Sequence, residues 1–374
     1  MSKDMSLYIH IPFCVRKCLY CDFLSFSADE DTVKDYFRAL NKEIEETLAE
    51  YREYSVRSVF FGGGTPSYPP AEYLCDSLSM ILEGFKIAPD AEISLELNPG
   101  TADLDRIKKY REAGFNRLSI GAQSFDDLEL KRLGRIHNVF DIVETFDGAR
   151  EAGFDNINLD IMSALPGQSS KSYKKTLQSV MTLRPEHVSA YSLIVEEGTP
   201  FYDMELDLPD EDTDRDMYHD TKTVLEENGY HRYEISNYAL GNQEDERLEC
   251  FHNKVYWERG NYLGLGLGAA SMMNEVRWNN TSLMDEYLVG AMKNNVKILT
   301  ENEQMEEFMF LGLRMVKGVS VDRFKELFSK DIMQVFGSVI EKYEKMGLLE
   351  VSDRIKLTEK GLDVSNTVMA DFLF

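Results

Sequence analysis

Two rhythms of apolar residues alternate along the first 240 positions. Short apolar runs occupy Ser6–Pro12, Arg57–Phe61, Glu92–Leu97, Arg117–Ala122, Asn156–Met162, Val188–Val195 and Arg232–Tyr238. Their β-branched content and alternation predict strands. Between them, apolar residues recur every three or four positions. Within Asp31–Tyr54 these are Val33, Phe37, Leu40, Ile44 and Leu48, the stripe of an amphipathic helix. Further helices are expected over Pro70–Phe85, Asp103–Ala113, Asp141–Ala152, Lys171–Leu183 and Arg215–Glu227. A sequence echo marks the repeat: EAGFNRLSI at 112–120 returns as EAGFDNINL at 151–159 and, more loosely, as ENGYHRYEI at 227–235. Each copy is a helix end, a glycine, an aromatic residue and a strand start, and the glycine allows a left-handed helix cap. Repeated βα units imply a parallel sheet covered by helices. The expected class is α/β, a partial TIM-type (β/α) barrel of parallel strands, with its chemistry at the C-terminal strand ends.

From about residue 300 the pattern changes. Helices over Glu303–Met315, Ser320–Phe328 and Ile332–Met346 precede two short strands, Leu348–Val351 and Ile355–Leu357. This order predicts a small winged-helix-like domain. The expected division is a barrel over 1–240, a connecting segment over 241–299 and the small domain over 300–374.

Charge narrows the function. The chain has 41 Lys and Arg against 66 Asp and Glu, a formal net charge of −25. Such a surface repels phosphate backbones, and the C-terminal piece carries no basic stripe, so nucleic acid is not an expected partner. The most acidic run, Asp203–Asp216, reads as a solvated loop. No signal peptide or long apolar span is legible, and three of the five cysteines are clustered. Together these features predict a reducing, cytoplasmic setting.

The clustered cysteines carry the chemistry. Cys14, Cys18 and Cys21 form a C-x3-C-x2-C array just after the first predicted strand. Iron–sulfur clusters usually take four cysteines. Here Phe23 stands where a further cysteine could be, and Cys75 and Cys250 are distant in sequence. A three-cysteine cubane leaves one iron open. The residues alone also allow a zinc site completed by His10 or a distant ligand, or unrelated thiols. One βα unit later, Gly62-Gly63-Gly64-Thr65-Pro66 ends the second strand. Glycines there permit a tight turn or close backbone approach, and the loop lacks the lysine of a P-loop. Glu96, Gln123 and Asp160 fall at or just after the next three strands, where a barrel collects its pocket.

The C-x3-C-x2-C spacing and the GGGTP loop resemble the radical S-adenosylmethionine (SAM) superfamily. Within it, HIPFCVRKCLYCDF, FFGGGTPS, LELNPG, LSIGAQSFDD, LGRIH and NLDIMSALPGQ resemble the branch of oxygen-independent coproporphyrinogen oxidases and HemW-type heme chaperones. The resemblance implies a [4Fe-4S] cluster on Cys14, Cys18 and Cys21. Its open iron would chelate SAM, whose reductive cleavage yields a 5′-deoxyadenosyl radical in this superfamily. It further implies that Tyr8, Tyr20, Gly63, Gly64, Thr65, Glu96, Gln123, Arg135 and Asp160 contact SAM. An arginine suits the methionyl carboxylate, and a carboxylate such as Asp160 suits ribose hydroxyls.

Three features favour the chaperone side of the branch. The oxidases carry another cysteine at the position of Phe23, and a longer segment before the cysteines. His252-Asn253-Lys254-Val255-Tyr256-Trp257 resembles the HNxxYW element linked to heme binding in the chaperones. A histidine nitrogen is a usual heme ligand, and aromatic residues can pack on the macrocycle. His252, Asn253, Tyr256 and Trp257 are therefore the expected heme residues, although a hydrogen-bonded structural His252 is an equally simple reading of that residue alone. The expected partners are heme-accepting proteins. Transient membrane association and a homodimer accord with the family, and neither is written in the residues. The alternatives are oxidative decarboxylation of coproporphyrinogen III and a zinc-stabilised winged-helix regulator.

Overall fold

The computed structural model describes residues 3–290 and 293–374. The barrel strands and helices follow in turn: β1 (Asp4–Ile11), α1 (Glu30–Tyr51), β2 (Ser55–Gly63), α2 (Ala71–Gly84), β3 (Lys86–Leu97), α3 (Leu104–Ala113), β4 (Arg117–Gln123), α4 (Asp127–Arg132), α5 (Val139–Glu151), β5 (Ile157–Ser163), α6 (Ser170–Leu183) and β6 (His187–Ser192). Strands β1 to β6 lie side by side in chain order, each parallel to the next. This is the geometry that short right-handed crossovers produce. Asp29 caps α1, and reciprocal capping boxes start α5 and α6, which fixes where each helix begins.

Alternation along the strands divides the interior. Leu7, Ile9, Ile11, Val59, Phe61, Ile93, Leu95, Leu118, Ile120, Leu159 and Val188 join Phe37, Leu40, Leu74, Ile107, Phe146 and Leu177 of the covering helices in one apolar core. The intervening positions are Ser6, Tyr8 and His10 on β1, Ser58 on β2, Glu92, Ser94 and Glu96 on β3, Arg117 and Ser119 on β4, and Asn158 and Asp160 on β5. Period-two alternation puts them on the opposite face. The lumen of this barrel is therefore polar, unlike one filled with branched aliphatic layers.

The sequence expectation fails at the two sheet margins. After α7 (Glu211–Glu227) come β7 (Tyr230–Arg232) and β8 (Asn237–Leu240), an antiparallel pair rather than a seventh parallel unit. Gly229 takes φ +86° there, so the third echo keeps its turn and its strand sense, but the reversed strand β8 is inserted between β7 and β6. On the other side, α8 (Phe251–Trp257) is followed by β9 (Tyr262–Leu265), parallel to β1, and by antiparallel β10 (Ala270–Met273), β11 (Val276–Asn280) and, after α9 (Met284–Leu288), β12 (Lys293–Ile298). The glycine-rich stretch 262–270 is thus a strand and its packed turn: a Cβ on Gly266 would lie 2.6 Å from the His10 carbonyl oxygen. The described sheet has twelve strands, with β7 and β12 at opposite edges. The acidic run also departs from a plain loop. Asp210 caps α7, and Glu211, Asp212 and Asp214 occupy its first turn, where the helix dipole favours negative charge.

The C-terminal elements are α10 (Glu301–Gly312), β13 (Val319–Ser320), α11 (Val321–Phe328), α12 (Ile332–Lys345), β14 (Leu349–Val351), β15 (Arg354–Leu357), α13 (Glu359–Asp363) and α14 (Ser365–Ala370). Their three short strands form a separate sheet around a second apolar core that includes Met309, Phe324, Phe336 and Ile355.

Candidate cofactor and ligand site

The loop after β1 is pinned on both flanks. Cys14 N donates to Phe26 O at 3.0 Å, and Leu19 N donates to Leu133 O at 3.0 Å. Cys14, Cys18, Cys21 and Tyr20 line one cavity of about 150 Å³ with Gly63, Gly64, Thr65, Glu96, Gln123, Arg135 and Asp160. Eleven of the twelve residues expected at the cluster and SAM are therefore brought to the walls of a single space, together with Phe23. Tyr8 is placed apart from them. Its hydroxyl lies 3.0 Å from His10 Nδ1, and its ring packs near Phe60 and His252.

The glycine loop is held by sterics. A Cβ on Gly64 would stand 2.8 Å from Phe13 O, and one on Gly63 2.5 Å from the His10 ring, with Gly63 at φ +114°. Close approach to β1 and its histidine thus demands these glycines. Thr65 Oγ1 then sits 3.4 Å from Cys14 Sγ and accepts from Asn98 Nδ2 at 2.8 Å. Asn98 Oδ1 in turn accepts from Arg135 Nη2 at 3.1 Å. The same guanidinium donates to Gly121 O at 2.7 Å and to Cys18 Sγ at 3.5 Å.

The donors fit the implied cluster. Three thiols share one cavity with cationic Arg16, Lys17 and Arg135. Burial raises the Cys21 thiol pKa, and Phe23's backbone and Lys17 partly offset it. A cubane takes each thiolate on a different iron. Among the described residues, no three ligand side chains are grouped about one point as a single ion requires. His10, the fourth ligand of the zinc alternative, has both ring nitrogens engaged, by Tyr8 and by Leu24 O at 2.9 Å.

The acids beside the cysteines sit in a low-dielectric place. Burial, then the nearby Asp160 charge, pushes the Glu96 carboxyl up to about 8, while the Gly63 N–H at 3.1 Å pulls it back. Burial raises Asp160 too, against bonds from Asn158 Nδ2 at 2.8 Å and Ser119 Oγ at 3.2 Å.

The HNxxYW residues do not share one space. His252 is 2% exposed. Its Nδ1 lies 2.9 Å from Ser58 Oγ, its Nε2 lies 2.8 Å from Tyr256 OH, and its ring stacks on Phe60. Burial, then the charge of Arg117, lowers it to about 3, so it is neutral. As folded, His252 offers no free nitrogen, and the hydrogen-bonded structural reading describes its setting. Asn253 lines a second, lower chamber of about 300 Å³, which shares Tyr20, Phe23, Glu96, Ser119, Gln123 and Asp160 with the upper one. Trp257 turns to the C-terminal elements, with Arg314 over its ring at 4.2 Å, beside Phe308, Met315 and Lys317.

Sequence reasoning did not single out Asn98, Gly121, Ser119 or Arg117. The last three share a period-two register with Gln123 on β4, and that register was the available signal. Gly121 is needed because a Cβ there would lie 2.7 Å from both Arg135 Nη2 and Asn98 Oδ1.

Comparison with known proteins agrees with this geometry. The Radical SAM superfamily model matches residues 8–180, and the HemN C-terminal domain model matches residues 299–364. The heme chaperone HemW of Bacillus subtilis (strain 168) is 37% identical, covering 98% of this chain and 99% of the relative. That of Escherichia coli (strain K12) is 39% identical, covering 99% and 98%. This chain belongs to the HemW family of radical SAM proteins. The family likeness extends to a Danio rerio protein described as radical S-adenosyl methionine domain-containing protein 1, mitochondrial, 32% identical across 100% of this chain and 87% of that one. The solved structure of Escherichia coli coproporphyrinogen III oxidase (HemN) superposes with a TM-score of 0.87 at 24% identity, covering 99% of this chain and 90% of that one. HemW-type and HemN-type chains thus share one fold, and function must be argued from the site.

Proposed function

We propose that this protein is a heme chaperone: it binds a [4Fe-4S] cluster, SAM and heme, and passes heme to acceptor proteins. The observation that carries the reading is the three-cysteine cavity, with Phe23 where the oxidases have a further cysteine, in a chain alike to HemW proteins from end to end. Cys14, Cys18 and Cys21 hold the cluster, which supplies an open iron for SAM and one-electron chemistry. Arg135 orients the methionyl carboxylate, since its fork already faces the cysteine loop. Glu96 and Asp160 accept hydrogen bonds from the amino group and ribose, and Tyr20, Gln123 and the Gly63–Thr65 backbone complete the wall. Tyr8 acts one layer back, by positioning His10 beneath the glycine loop.

Heme contact involves the HNxxYW element unequally. Asn253 faces the lumen, and Trp257 faces the cleft against the C-terminal elements. His252 and Tyr256 hold α8 in place rather than meet the iron. Heme-accepting proteins are the partners of this activity. Cytoplasmic residence suits the cysteines, and among the described residues no helix is long and apolar enough to cross a membrane. The small domain from about residue 300 packs on the barrel through Arg259 and Arg277, both paired with Glu307, as a cap rather than a DNA reader.

A hemin absorbance titration of the anaerobically reconstituted protein tests the reading. Saturable binding, and transfer to a heme-accepting protein, are expected. Absence of binding with the iron–sulfur absorbance intact overturns it. Turnover of coproporphyrinogen III would install the oxidase reading instead.

A further inference from the structure

The lower chamber contains a cation that no hydrogen bond or ion pair holds among the described residues. Arg117 begins β4, is 2% exposed and is among the largest fully buried side chains. Among the described residues its guanidinium enters no hydrogen bond and no ion pair, and its buried Nε has no partner. Arg135, the other lumen arginine, has three acceptors at its Nη atoms. Burial disfavours this cation, and the fields of Cys250, Glu92, Tyr233 and Asp160 keep it charged, while its N–H donors are left without an acceptor, an arrangement suited to receiving an anion.

The acids nearby are turned elsewhere. Glu92 accepts from Phe251 N at 2.8 Å and His252 N at 3.4 Å, holding the start of α8. Glu96 takes the Gly63 N–H. Asp160 is met by Asn158 and Ser119. The chamber walls add Ser189, Asn253 and Tyr191 as polar groups, and Phe23, Phe60 and Met162 as an apolar side. An arginine fork flanked by hydroxyl and amide groups matches a carboxylate, and the apolar side suits the carbon chain that carries it.

We propose that Arg117 anchors a carboxylate subsite in the barrel lumen, filled by a propionate of the tetrapyrrole cargo. The source rests on the chaperone reading above; the subsite itself does not. The only other carboxylate in that reading is the methionyl group of SAM. Arg135 meets β4 at Gly121, four residues beyond Arg117, on the order of 13 Å along the strand. Both guanidiniums lie in the field of Asp160, so SAM binding by an Arg117 variant tells the two carboxylates apart.

Three measurements on reconstituted protein, wild type beside Arg117→Met, test this. Hemin is compared with hemin dimethyl ester, which lacks free propionates. The wild type should prefer hemin by about ten- to a hundredfold, the range of a charged hydrogen bond, and the variant should lose that preference. Sodium propionate should raise the wild-type melting temperature above matched sodium chloride, and not the variant's. Without ligand, Arg117→Met should melt no lower than wild type, because no hydrogen bond or ion pair is lost with the guanidinium and an apolar side chain fills its place. A melting temperature lowered by several degrees makes Arg117 a structural residue and overturns the proposal. Equal wild-type binding of hemin and its ester overturns the propionate while the chaperone reading stands. SAM binding lost in the variant, with the hemin preference kept, gives the carboxylate to SAM and also overturns it. No hemin binding by the wild type removes the chaperone reading and the propionate source together. The propionate melting shift then decides the subsite alone.

Discussion

The cysteine loop and the HNxxYW helix are both short motifs, and the fold treats them in opposite ways. Residues from the loop and four successive strand ends meet at one cavity, because strand ends in a parallel sheet all open on the same side. Residues 252–257 lie on one turn and a half of helix, and helical geometry sends them in three directions: His252 and Tyr256 under Tyr8 and Phe60, Asn253 into the lower chamber, Trp257 onto Arg314. A motif on strand ends therefore maps a site almost directly. A motif on a buried helix mixes ligand contacts with packing, and only the environment of each side chain separates them.

The largest expected contrast is at the loop. Cys18 and Cys21 are half-buried, and neither anchors the apolar core. Cys18→Ala or Cys21→Ala should abolish cluster iron and sulfide, while the metal-free protein keeps its stability within about 1 kcal/mol, as surface-loop changes usually do. Metal analysis and apo-protein thermal melting check both halves. Retained cluster in either variant would break the three-cysteine assignment.

On the helix the weights reverse. His252→Ala deletes a buried ring, leaves the Tyr256 hydroxyl without this partner and Ser58 with Ser6 alone, a loss of about 2–4 kcal/mol by cavity and hydrogen-bond terms. Urea unfolding measures it. A pH signature accompanies it. The folded pKa of about 3 lies below the ordinary 6.5, so the unfolded chain binds the extra proton. The neutral ring's contribution is full above 6.5 and is lost as pH falls towards 3. The variant should flatten the acid side of the stability curve. If instead hemin binding disappears while stability barely moves, His252 is a ligand and the comparison between the two regions fails.

Glu96 gives a smaller, graded effect. Its folded pKa of about 8 stands above 4.5, so at neutral pH the carboxyl is mostly protonated. The ionised carboxylate is the stronger acceptor for the SAM amino group. SAM affinity of the cluster-loaded protein should therefore rise with pH by up to about tenfold per unit below pH 8. Glu96→Gln should bind SAM more weakly and without that slope. A wild-type affinity independent of pH from 6 to 8 would remove Glu96 from the amino-group contact.

These contrasts explain what was legible in the sequence. The six parallel strands and their helices were, since alternation and helical stripes are local signals that the core then uses directly. The turn chemistry of the echo was legible as well, and Gly114, Gly153 and Gly229 all take positive φ. The reversed strand β8, inserted between β6 and β7, was not, because strands of three and four residues carry no mark of their partners. The start of the extension, β9, was hidden in a glycine-rich stretch where Gly266 answers to His10 and Tyr36 across the chain. In the site, the loop cysteines and strand-end acids were visible as motifs. Arg117 was not, since an arginine at a strand start looks like any exposed one until the lumen is closed around it.

Trp257 offers the finest distinction. Its ring stacks under Arg314 and lines the cleft with Phe308 and Lys317, and its Nε1 is buried without a partner. Trp257→Phe keeps an aromatic face, so the loss should be only about 0.5–1 kcal/mol, the scale of one cation–π contact. Cluster content and SAM binding, which depend on the opposite end of the barrel, should not change. Hemin affinity then reports on the helix alone. If it falls severalfold while melting hardly moves, the outward side of α8 touches the macrocycle and heme spans from the lumen to the C-terminal cleft. If it stays level, the tryptophan joins His252 and Tyr256 as packing, and within the motif Asn253 alone remains as a direct contact.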